Sequence, residues 1–270
     1  MPELPEVETT RRGIEPWLQG RTVTGIQVRQ PQLRWVIPAA ITQLQGQVIQ
    51  QLTRRGKYIL LHTQAGVALL HLGMSGSVRI LDVGTEPRKH DHFDLELDNG
   101  KVLRYHDPRR FGAFLWTTDE PSQHPLLCKL GVEPLEDGLT AEYLFRKSRG
   151  RGISMKTFVM DAHIVVGVGN IYANEALFMA GIDPRRTAGS LTLAECATLV
   201  SCIREVLHYA LERGGTTLRD FVREDGATGY FQLELKVYGR TAQACVTCQT
   251  PVQQITQGQR STWFCPLCQR

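Results

Sequence analysis

The sequence predicts an α+β fold in which a β-rich first half precedes a helical second half and a small metal-binding tail. Short β-branched and aromatic runs separated by glycines fill residues 22–116, which is typical of strands. After Pro121 the apolar residues recur every three or four positions, which is the helical period. Two CxxC cysteine pairs then lie close to the C-terminus. With 270 residues, of which 42% are hydrophobic, the chain is long enough for two domains and this tail.

The first half, residues 1–120, is expected to be an antiparallel β-sandwich or barrel with a helix against it. Early glutamates favour a helix at residues 2–19, and Gly20 favours its end. The sequence Asp98-Asn99-Gly100 predicts a hairpin between two of the strands. The strand-like runs are Tyr58–His62, Val67–Leu72, Val78–Leu81, Phe93–Leu97 and Val102–Tyr105.

The second half, residues 121–225, is expected to be a helical domain. Thr192 and Glu195 match a capping box that opens a long helix, and Gly214-Gly215 favours its end. Three cysteines have no CxxC partner and are expected to be buried free thiols of a reducing compartment: Cys128, Cys196 and Cys202. The stretch 226–232 is interpreted as a mobile loop that leads into the tail.

The tail, residues 226–270, is predicted to bind one structural zinc ion. Sixteen residues separate Cys245-x-x-Cys248 from Cys265-x-x-Cys268, a spacing typical of a four-thiolate site. Four sulfur ligands leave no open position for catalysis. The intervening segment favours a hairpin with Gly258 at its turn, which places Arg260 just past the tip. Two disulfides are the alternative, and a chain without an export signal disfavours them.

Composition limits where the chain acts and what it binds. The first eight residues carry three glutamates and no apolar stretch, and no run of 18 apolar residues occurs, so a cytoplasmic location is expected. The net charge is +4, but the basic residues are clustered. Residues 146–156 contain five lysines and arginines and no acid, which favours a phosphate-binding face. Ordinary solvated surface is the alternative.

Three glycine-containing segments are candidates for contacts with nucleic acid. Val166-Gly-Val-Gly-Asn170 precedes a helix, where backbone amides can hold a phosphate, although a tight turn between helices explains it equally well. Asp107-Pro-Arg-Arg-Phe-Gly112 and His71-Leu-Gly-Met-Ser-Gly76 place Phe111 and Met74 at turns, where an apolar side chain can enter a base stack. Taken singly, each of these side chains is more often a core residue.

The N-terminus offers a nucleophile. Removal of Met1 before Pro2 exposes a secondary amine, and an α-amino group has a pKa near 8, so much more of it is unprotonated at neutral pH than of a lysine. Attack of this amine on a sugar C1′ gives an iminium that accepts electrons during elimination. Glu3 beside it is a candidate general acid or base. The alternative is that Pro2 begins a helix.

Taken together, the motifs resemble those of the formamidopyrimidine-DNA glycosylase family. The resemblance extends from Met1 to Cys268. It rests on the N-terminal start, the glycine segment and the cysteine tail, together with Gly56-Lys-Tyr58 and Lys89-His-Asp-His92. It also rests on segments 71–76 and 107–112, which we call the wedge segments because each carries an apolar side chain that can enter a base stack. It implies a helical domain of helix–two-turn–helix type, a monomer, and a bifunctional glycosylase and abasic-site lyase that acts on oxidised purines in double-stranded DNA.

The resemblance also implies roles for single residues. Pro2 is the nucleophile, Glu3 its acid and base, Lys57 the proton donor for β-elimination, and Arg260 a phosphate ligand that assists δ-elimination. The implied DNA contacts are His90, Arg109, Arg151, Lys156 and Asn170, with Met74, Arg109 and Phe111 filling the gap left by the flipped nucleotide. A glycine-rich region around 217–230 closes over the flipped base. The family commonly has lysine at the position of Arg151.

Two other functions are compatible with parts of this pattern. The related endonuclease VIII type shares the Pro-Glu start and zinc ribbon but prefers oxidised pyrimidines, and Leu4 and Val7 favour the purine type. A non-catalytic zinc-ribbon protein explains the basic clusters but gives no role to Pro2, Glu3 and Lys57. The sequence does not rank 8-oxoguanine against formamidopyrimidines or identify the preferred opposite base.

Overall fold

A computed structural model describes residues 2–214 and 234–270. These residues form two compact units. The first contains residues 2–128 with 211–214, and the second contains residues 129–210 and 234–270. The loop predicted at 226–232 and the glycine-rich region around 217–230 both lie outside the described residues. Within the part of the chain described, no helix has the length and hydropathy to cross a membrane.

The first unit is an antiparallel β-sandwich with one helix, as predicted. Helix α1 spans Leu4–Leu18. One sheet has the strand order β1-β6-β7-β5 and the other β2-β3-β4-β8, and every pairing is antiparallel. The strands are β1 Val23–Val28, β2 Gln51–Arg55, β3 Tyr58–His62, β4 Val67–His71, β5 Ser77–Asp82, β6 Asp91–Leu97, β7 Lys101–His106 and β8 Ala113–Thr117.

The core of this unit lies between the two sheets. Phe93 of β6 stacks on Phe114 of β8 with ring centroids 4.2 Å apart, so the rings join the two layers. Both side chains are fully buried, and burial of one such ring contributes about 1.5–3 kcal/mol. Helix α1 adds Val7, Ile14 and Leu18 to the same cluster. The sheet layers therefore form a rigid support for the loops at their edges.

The described residues of the second unit include three complete α-helices, a fourth up to residue 210, and the cysteine-rich hairpin. The helices are α2 Ala141–Ser148, α3 Met155–Val159, α4 Asn170–Met179 and α5 Leu193–Gly214. The predicted capping box is present, since the Thr192 N–H donates to Glu195 Oε2 at 2.7 Å and the Glu195 N–H donates to Thr192 Oγ1 at 3.2 Å. The hairpin strands are β9 Gln253–Gln257 and β10 Arg260–Phe264.

One prediction about the cysteines is wrong. Cys196 and Cys202 are buried, as their positions in the α5 sequence suggested, but Cys128 is exposed. Its neighbour Leu127 fills the buried position instead, with 3% exposure. Cys128 lies in an irregular segment, where no helical or strand period links apolar character to burial.

Candidate functional site

Two contacts fix the direction of α1 on the first unit. Glu8 forms an ion pair with Arg54 (Oε2 to Nε, 3.3 Å), and the Arg11 guanidinium donates to the Leu52 carbonyl at 3.0 Å. Later residues of the helix therefore meet earlier residues of β2, so the two elements run in opposite directions. As the chain leaves β2 and approaches Lys57, it moves toward the start of the helix. From this direction we infer that the turn with Lys57 lies toward the end of the helix that carries Pro2 and Glu3.

The start of α1 is held by its own side chains. The Glu3 backbone N–H donates to Glu6 Oε2 at 2.8 Å, in a capping box. Glu3 is only 2% exposed, whereas Pro2 remains partly exposed. Burial acts to raise the pKa of Glu8, but hydrogen bonds from Arg11 and Arg12 and the charges of Arg11 and Arg54 together lower it below its ordinary value. A buried carboxyl group directly after Pro2 is a suitable partner for proton transfer at that amine.

His71 connects the Lys57 turn to the first wedge segment, a role that the sequence motif alone did not assign. Tyr58 is its partner in the β3–β4 register, and the two rings lie 4.7 Å apart. His71 Nδ1 accepts the Gly73 N–H at 2.9 Å, so the proton of the neutral ring is on Nε2. Burial, followed by the charges of Lys57 and Arg34, lowers the pKa of His71 to about 4. His71 is therefore neutral at physiological pH.

Met74 and Phe111 are on the surface rather than in the core. They are 40% and 41% exposed, and Met74 lies in a turn, whereas Phe111 lies in the loop that follows the turn at Pro108 and Arg109. The Arg109 guanidinium lies over the Phe111 ring at 4.8 Å from its centroid. The two turns touch, because a Cβ atom added at Gly73 would clash with the backbone of Phe111 and Gly112. The structure therefore brings together all three residues that were predicted to fill a gap in the DNA.

His90 lies beside these turns in a left-handed backbone conformation, with φ of 73°. Its carbonyl accepts the Asp107 N–H at 3.0 Å. The next residue, Asp91, is buried and accepts two hydrogen bonds from Arg79 at 2.7 and 2.8 Å and one from His106 at 2.9 Å. Because these contacts surround Asp91, they hold the unusual conformation of the residue before it.

In the second unit, Lys156 and Asn170 hold the hairpin. Lys156 is 1% exposed, and its ammonium donates to the Ser261 carbonyl at 2.8 Å and to Thr262 Oγ1 at 2.6 Å. The Asn170 side-chain amide donates to the same Ser261 carbonyl at 3.1 Å. Both residues were predicted to contact phosphate, and that role stays a prediction. Their contacts in the structure position β10.

Two further residues attach the hairpin and its approach to α4, and neither was singled out from the sequence. The Asn174 side-chain oxygen accepts the Trp263 N–H at 2.8 Å. The buried Glu175 carboxylate accepts the N–H groups of three successive residues, Lys236 to Tyr238, at 2.8 to 2.9 Å. Adjacent amide and carboxylate residues on a helix were the only signal in the sequence.

Two predicted cationic contacts are on the surface of this unit. Arg260 is exposed and begins β10, directly after a turn in which Gly258 and Gln259 both have positive φ, 54° and 61°. Such a turn matches the twist of a hairpin. Arg151 is also exposed and follows Gly150, whose φ is 71°. Its neighbour Arg149 instead donates to the Leu191 carbonyl at 2.6 Å. One charge of the basic cluster 146–156 therefore binds the protein backbone.

The four tail cysteines form a metal site. Their sulfur atoms all lie within 4.8 Å of one another, with 3.9 Å between Cys245 and Cys268 and 3.4 Å between Cys248 and Cys265. A tetrahedral zinc ion with Zn–S bonds of about 2.3 Å requires sulfurs about 3.8 Å apart. The donor set therefore fits one zinc ion, and it fits a structural role because all four positions are thiolates.

Profiles of three protein families match the chain. The formamidopyrimidine-DNA glycosylase N-terminal domain matches residues 1–114, the formamidopyrimidine-DNA glycosylase H2TH domain matches residues 130–222, and the zinc finger found in FPG and IleRS matches residues 242–270. The matches follow the order of the sandwich, the helices and the hairpin.

Relatives named formamidopyrimidine-DNA glycosylase are similar over the whole chain. Those of Thioalkalivibrio sulfidiphilus and Photobacterium profundum are 59% and 54% identical, with 100% of both chains covered. The crystal structure of Thermus thermophilus MutM (FPG) has a TM-score of 0.86 and 40% identity, covering 99% of this chain and 98% of that one.

Two solved Lactococcus lactis structures contain DNA. A complex of an FPG variant with Fapy-dG-containing DNA has a TM-score of 0.90, 32% identity and 100% coverage of both chains. A complex of the wild-type enzyme with DNA that contains an oxidised pyrimidine has a TM-score of 0.89, with the same identity and coverage.

Proposed function

The chain belongs to the formamidopyrimidine-DNA glycosylase family of base-excision repair enzymes, and we propose that it excises oxidised purines from double-stranded DNA through a Schiff base on Pro2. The observation that carries this proposal is the arrangement at the start of α1. A partly exposed proline precedes a buried glutamate, and the Lys57 turn approaches the same helix end. Amine, carboxyl group and ammonium are the groups that this chemistry needs.

The proposed reaction begins after Met1 has been removed. The Pro2 nitrogen uses its lone pair to bond C1′ of the sugar as the bond from C1′ to the base breaks, and the leaving base keeps the electron pair of that bond and takes a proton from water. Glu3 donates a proton to O4′ and accepts the N–H proton of Pro2, so that breaking of the C1′–O4′ bond opens the sugar and gives an iminium. Loss of a C2′ proton to water converts the iminium to an enamine, whose electrons then break the C3′–O bond and expel the 3′ phosphate. Lys57 supplies a proton in this β-elimination.

A second elimination removes the 5′ phosphate, and water then releases Pro2 from the sugar fragment. We assign a phosphate-binding role in this step to Arg260. Its exposed position at the first residue of β10 supports the assignment, because an arginine fork binds phosphate oxygens with defined geometry. The zinc ion, when bound, supplies no step of the chemistry and stabilises the hairpin that carries this arginine.

The remaining DNA contacts divide by chemistry. Met74 and Phe111 are proposed to enter the space of the flipped nucleotide together with Arg109, which offsets the stacking lost on flipping. His90 and Arg151 are proposed to bind the backbone, a contact that carries no sequence preference. For Asn170, its position at the start of α4 supports a phosphate contact, since backbone N–H groups at a helix N-terminus favour anions. Lys156 is proposed to assist there while it also holds β10.

The proposed substrates are 8-oxoguanine and formamidopyrimidines in duplex DNA, together with abasic sites. Oxidised pyrimidines are a second substrate class, because a relative has been crystallised with such a lesion. A base-release assay on duplexes with 8-oxoguanine or thymine glycol distinguishes the two. Faster release of 8-oxoguanine is expected, and a clear preference for thymine glycol would contradict the purine assignment.

We further propose three functional modules with boundaries near residues 120 and 225, and action as a monomer on DNA in the bacterial cytoplasm, at the nucleoid. Limited proteolysis would test the boundaries by cleavage close to those positions. Light scattering of the complex with a DNA duplex would test the stoichiometry, with one protein chain per lesion expected. Fluorescence microscopy of a C-terminal fusion in bacteria would test the location.

Borohydride trapping tests the central proposal. The protein should become covalently attached to duplex DNA that contains 8-oxoguanine, and peptide mass analysis should place the attachment at Pro2. A protein with an N-terminal extension that cannot be removed should give no adduct, because its proline nitrogen is an amide. Undiminished trapping of the extended protein would refute Pro2 as the nucleophile.

A further inference from the structure

Asp107 lies at the centre of a fully satisfied hydrogen-bond network. Its side chain is 0% exposed. One carboxylate oxygen accepts the Ser75 hydroxyl at 2.6 Å and the Arg109 N–H at 3.2 Å. The other accepts the Tyr105 hydroxyl at 3.0 Å and the Gly112 N–H at 2.9 Å. None of these four donors is a charged side chain, so the network is not an ordinary ion pair.

Three of the four donors belong to the turns that carry the exposed wedge residues. Ser75 follows Met74 directly, while Arg109 and Gly112 bracket the turn that presents Phe111. The one carboxylate therefore ties the first wedge turn to the second.

The backbone of Asp107 adds a third segment. Its N–H donates to the His90 carbonyl at 3.0 Å, and its own carbonyl accepts the His92 Nε2 proton at 2.6 Å. Every surface segment of the first unit to which a DNA contact is assigned thus has a direct hydrogen bond to this residue or to its immediate neighbours.

We propose that Asp107 is a positioning residue that fixes the two wedge turns and the His90 segment in one preorganised arrangement. This inference rests on the proposed function, because it assumes that Met74 and Phe111 enter the base stack. Side chains that must fill a gap at a set separation gain from being ordered before binding, since the ordering cost is not then subtracted from the binding energy.

Apolar packing cannot supply this order. Met74 and Phe111 are exposed, so their turns have little buried surface of their own. The close approach of Gly73 to Gly112 fixes where the turns touch but adds only weak dispersion contacts. Hydrogen bonds to a buried carboxylate provide that attraction, and charge-assisted bonds of this kind are about twice as strong as neutral ones.

Two single substitutions distinguish a positioning role of the Asp107 network from a role in stability alone. Ser75→Ala removes the bond from the first wedge turn to Asp107. Thr63→Val is the control, because it deletes a buried hydroxyl that donates to the Gly66 carbonyl at 2.8 Å, in the turn before β4 and so at the opposite end of that strand from the first wedge turn. Asp107→Asn removes more of the network, but a failure of that variant to fold would be uninformative, so the pair of hydroxyl deletions forms the main test.

The first readout does not depend on catalysis. A duplex carries a stable tetrahydrofuran abasic site and 2-aminopurine in the neighbouring position, whose fluorescence rises when stacking is disrupted by an inserted side chain. The unmodified protein and Thr63→Val should give the same increase at saturating protein. Ser75→Ala should reduce the increase at least twofold, with a thermal midpoint close to that of Thr63→Val.

The second readout compares substrates. Ser75→Ala should slow 8-oxoguanine release from a duplex about fivefold, the effect expected for one lost hydrogen bond, and should trap normally on a single-stranded abasic oligonucleotide, which has no duplex gap to fill. Equal losses for both variants, or an equal loss on both substrates, would overturn the positioning role. Absence of trapping by the unmodified protein would instead reject the proposed function, and the fluorescence comparison would still decide the role of Asp107.

Discussion

The ammonium group of Lys156 donates a hydrogen bond of 2.8 Å to the backbone carbonyl of Ser261, a residue of the zinc-binding hairpin. The same group also binds the Thr262 hydroxyl, and the lysine is buried. A cation from the basic cluster of the sequence therefore holds a protein strand, and the attachment of the hairpin to α3 depends on it.

Replacement of Lys156 should loosen the hairpin. We expect Lys156→Met to lower the free energy of unfolding of the second unit by about 1–3 kcal/mol, because the buried Thr262 hydroxyl loses this donor while the Ser261 carbonyl keeps the one from Asn170. The variant should also release zinc to a chelator faster. Urea unfolding and a colorimetric zinc assay measure the two effects. Lys147→Met is the matched control, since that lysine is exposed on α2, and equal effects of both substitutions would contradict the assignment.

Removal of zinc should unfold the hairpin and weaken DNA binding. Structural zinc contributes on the order of 10 kcal/mol to the folding of such a module, so Cys265→Ser should reduce bound zinc well below one ion per chain. Elemental analysis and a DNA-binding titration measure the result. Cys128→Ser removes an exposed thiol outside the quartet and should retain the metal. Full zinc content in Cys265→Ser would show that the quartet is not the site.

Arg260→Ala should weaken DNA binding and leave the zinc content intact. Loss of one phosphate contact reduces the slope of the binding constant against salt concentration by about 1 on logarithmic axes. Titrations at several salt concentrations measure that slope. Arg12→Ala, which removes a half-exposed arginine of α1, should leave it unchanged. Loss of zinc in Arg260→Ala would mean that the side chain is part of the ribbon structure.

His71 should make the protein less stable in acid. Its folded pKa of about 4 lies below the ordinary value of 6.5, so the unfolded chain binds more protons between these values. The stability contributed by the neutral ring is complete above pH 6.5 and is lost as the pH falls toward 4. His71→Asn keeps an acceptor for Gly73 without this titration. The stability difference between pH 7.5 and 4.5 should therefore shrink by about 2–3 kcal/mol.

Urea unfolding at the two pH values measures this change. His163→Asn is the control, because His163 has 66% of its side chain exposed and its loss should leave the pH dependence nearly as it is. A pH dependence in His71→Asn that matches the unmodified protein would show that the neutral ring does not contribute.

Much of the sandwich can be predicted from the sequence because its central strands are apolar. Strand β3 matches the run Tyr58–His62, and its neighbour β4 departs from the predicted bounds by one residue. Strand β2 was not identified individually, since Gln51–Arg55 has one apolar residue and depends on its pairing with β3 for its conformation. The local sequence pattern predicts a strand where side-chain burial is regular. It does not predict a strand whose conformation depends on pairing with a neighbouring strand.

The chemical types in the site were visible in the sequence, but their environments were not. Lys156 and Arg151 look alike as cations, yet the first is buried and the second is exposed. The difference arises from the docking of β10, more than 100 positions away along the chain. Asp107 belonged to a recognised turn motif, but its partner Ser75 lies 32 residues earlier. Spacing within a motif carries no information about contacts of this range.

The start of α1 at Leu4 fixes the position of the Pro2 amine. Glu3, the N-cap residue of α1, is the single residue between Pro2 and the first residue of the helix. The amine therefore has little freedom to move relative to the sandwich. One inserted residue would move the amine by up to about 3.5 Å, several times the positional tolerance of about 0.5 Å for a catalytic group. Changing the length of the chain before Leu4 should therefore lower activity as much as replacing the proline itself. Because the amine is fixed on the sandwich, DNA binding has to bring the sugar C1′ to it.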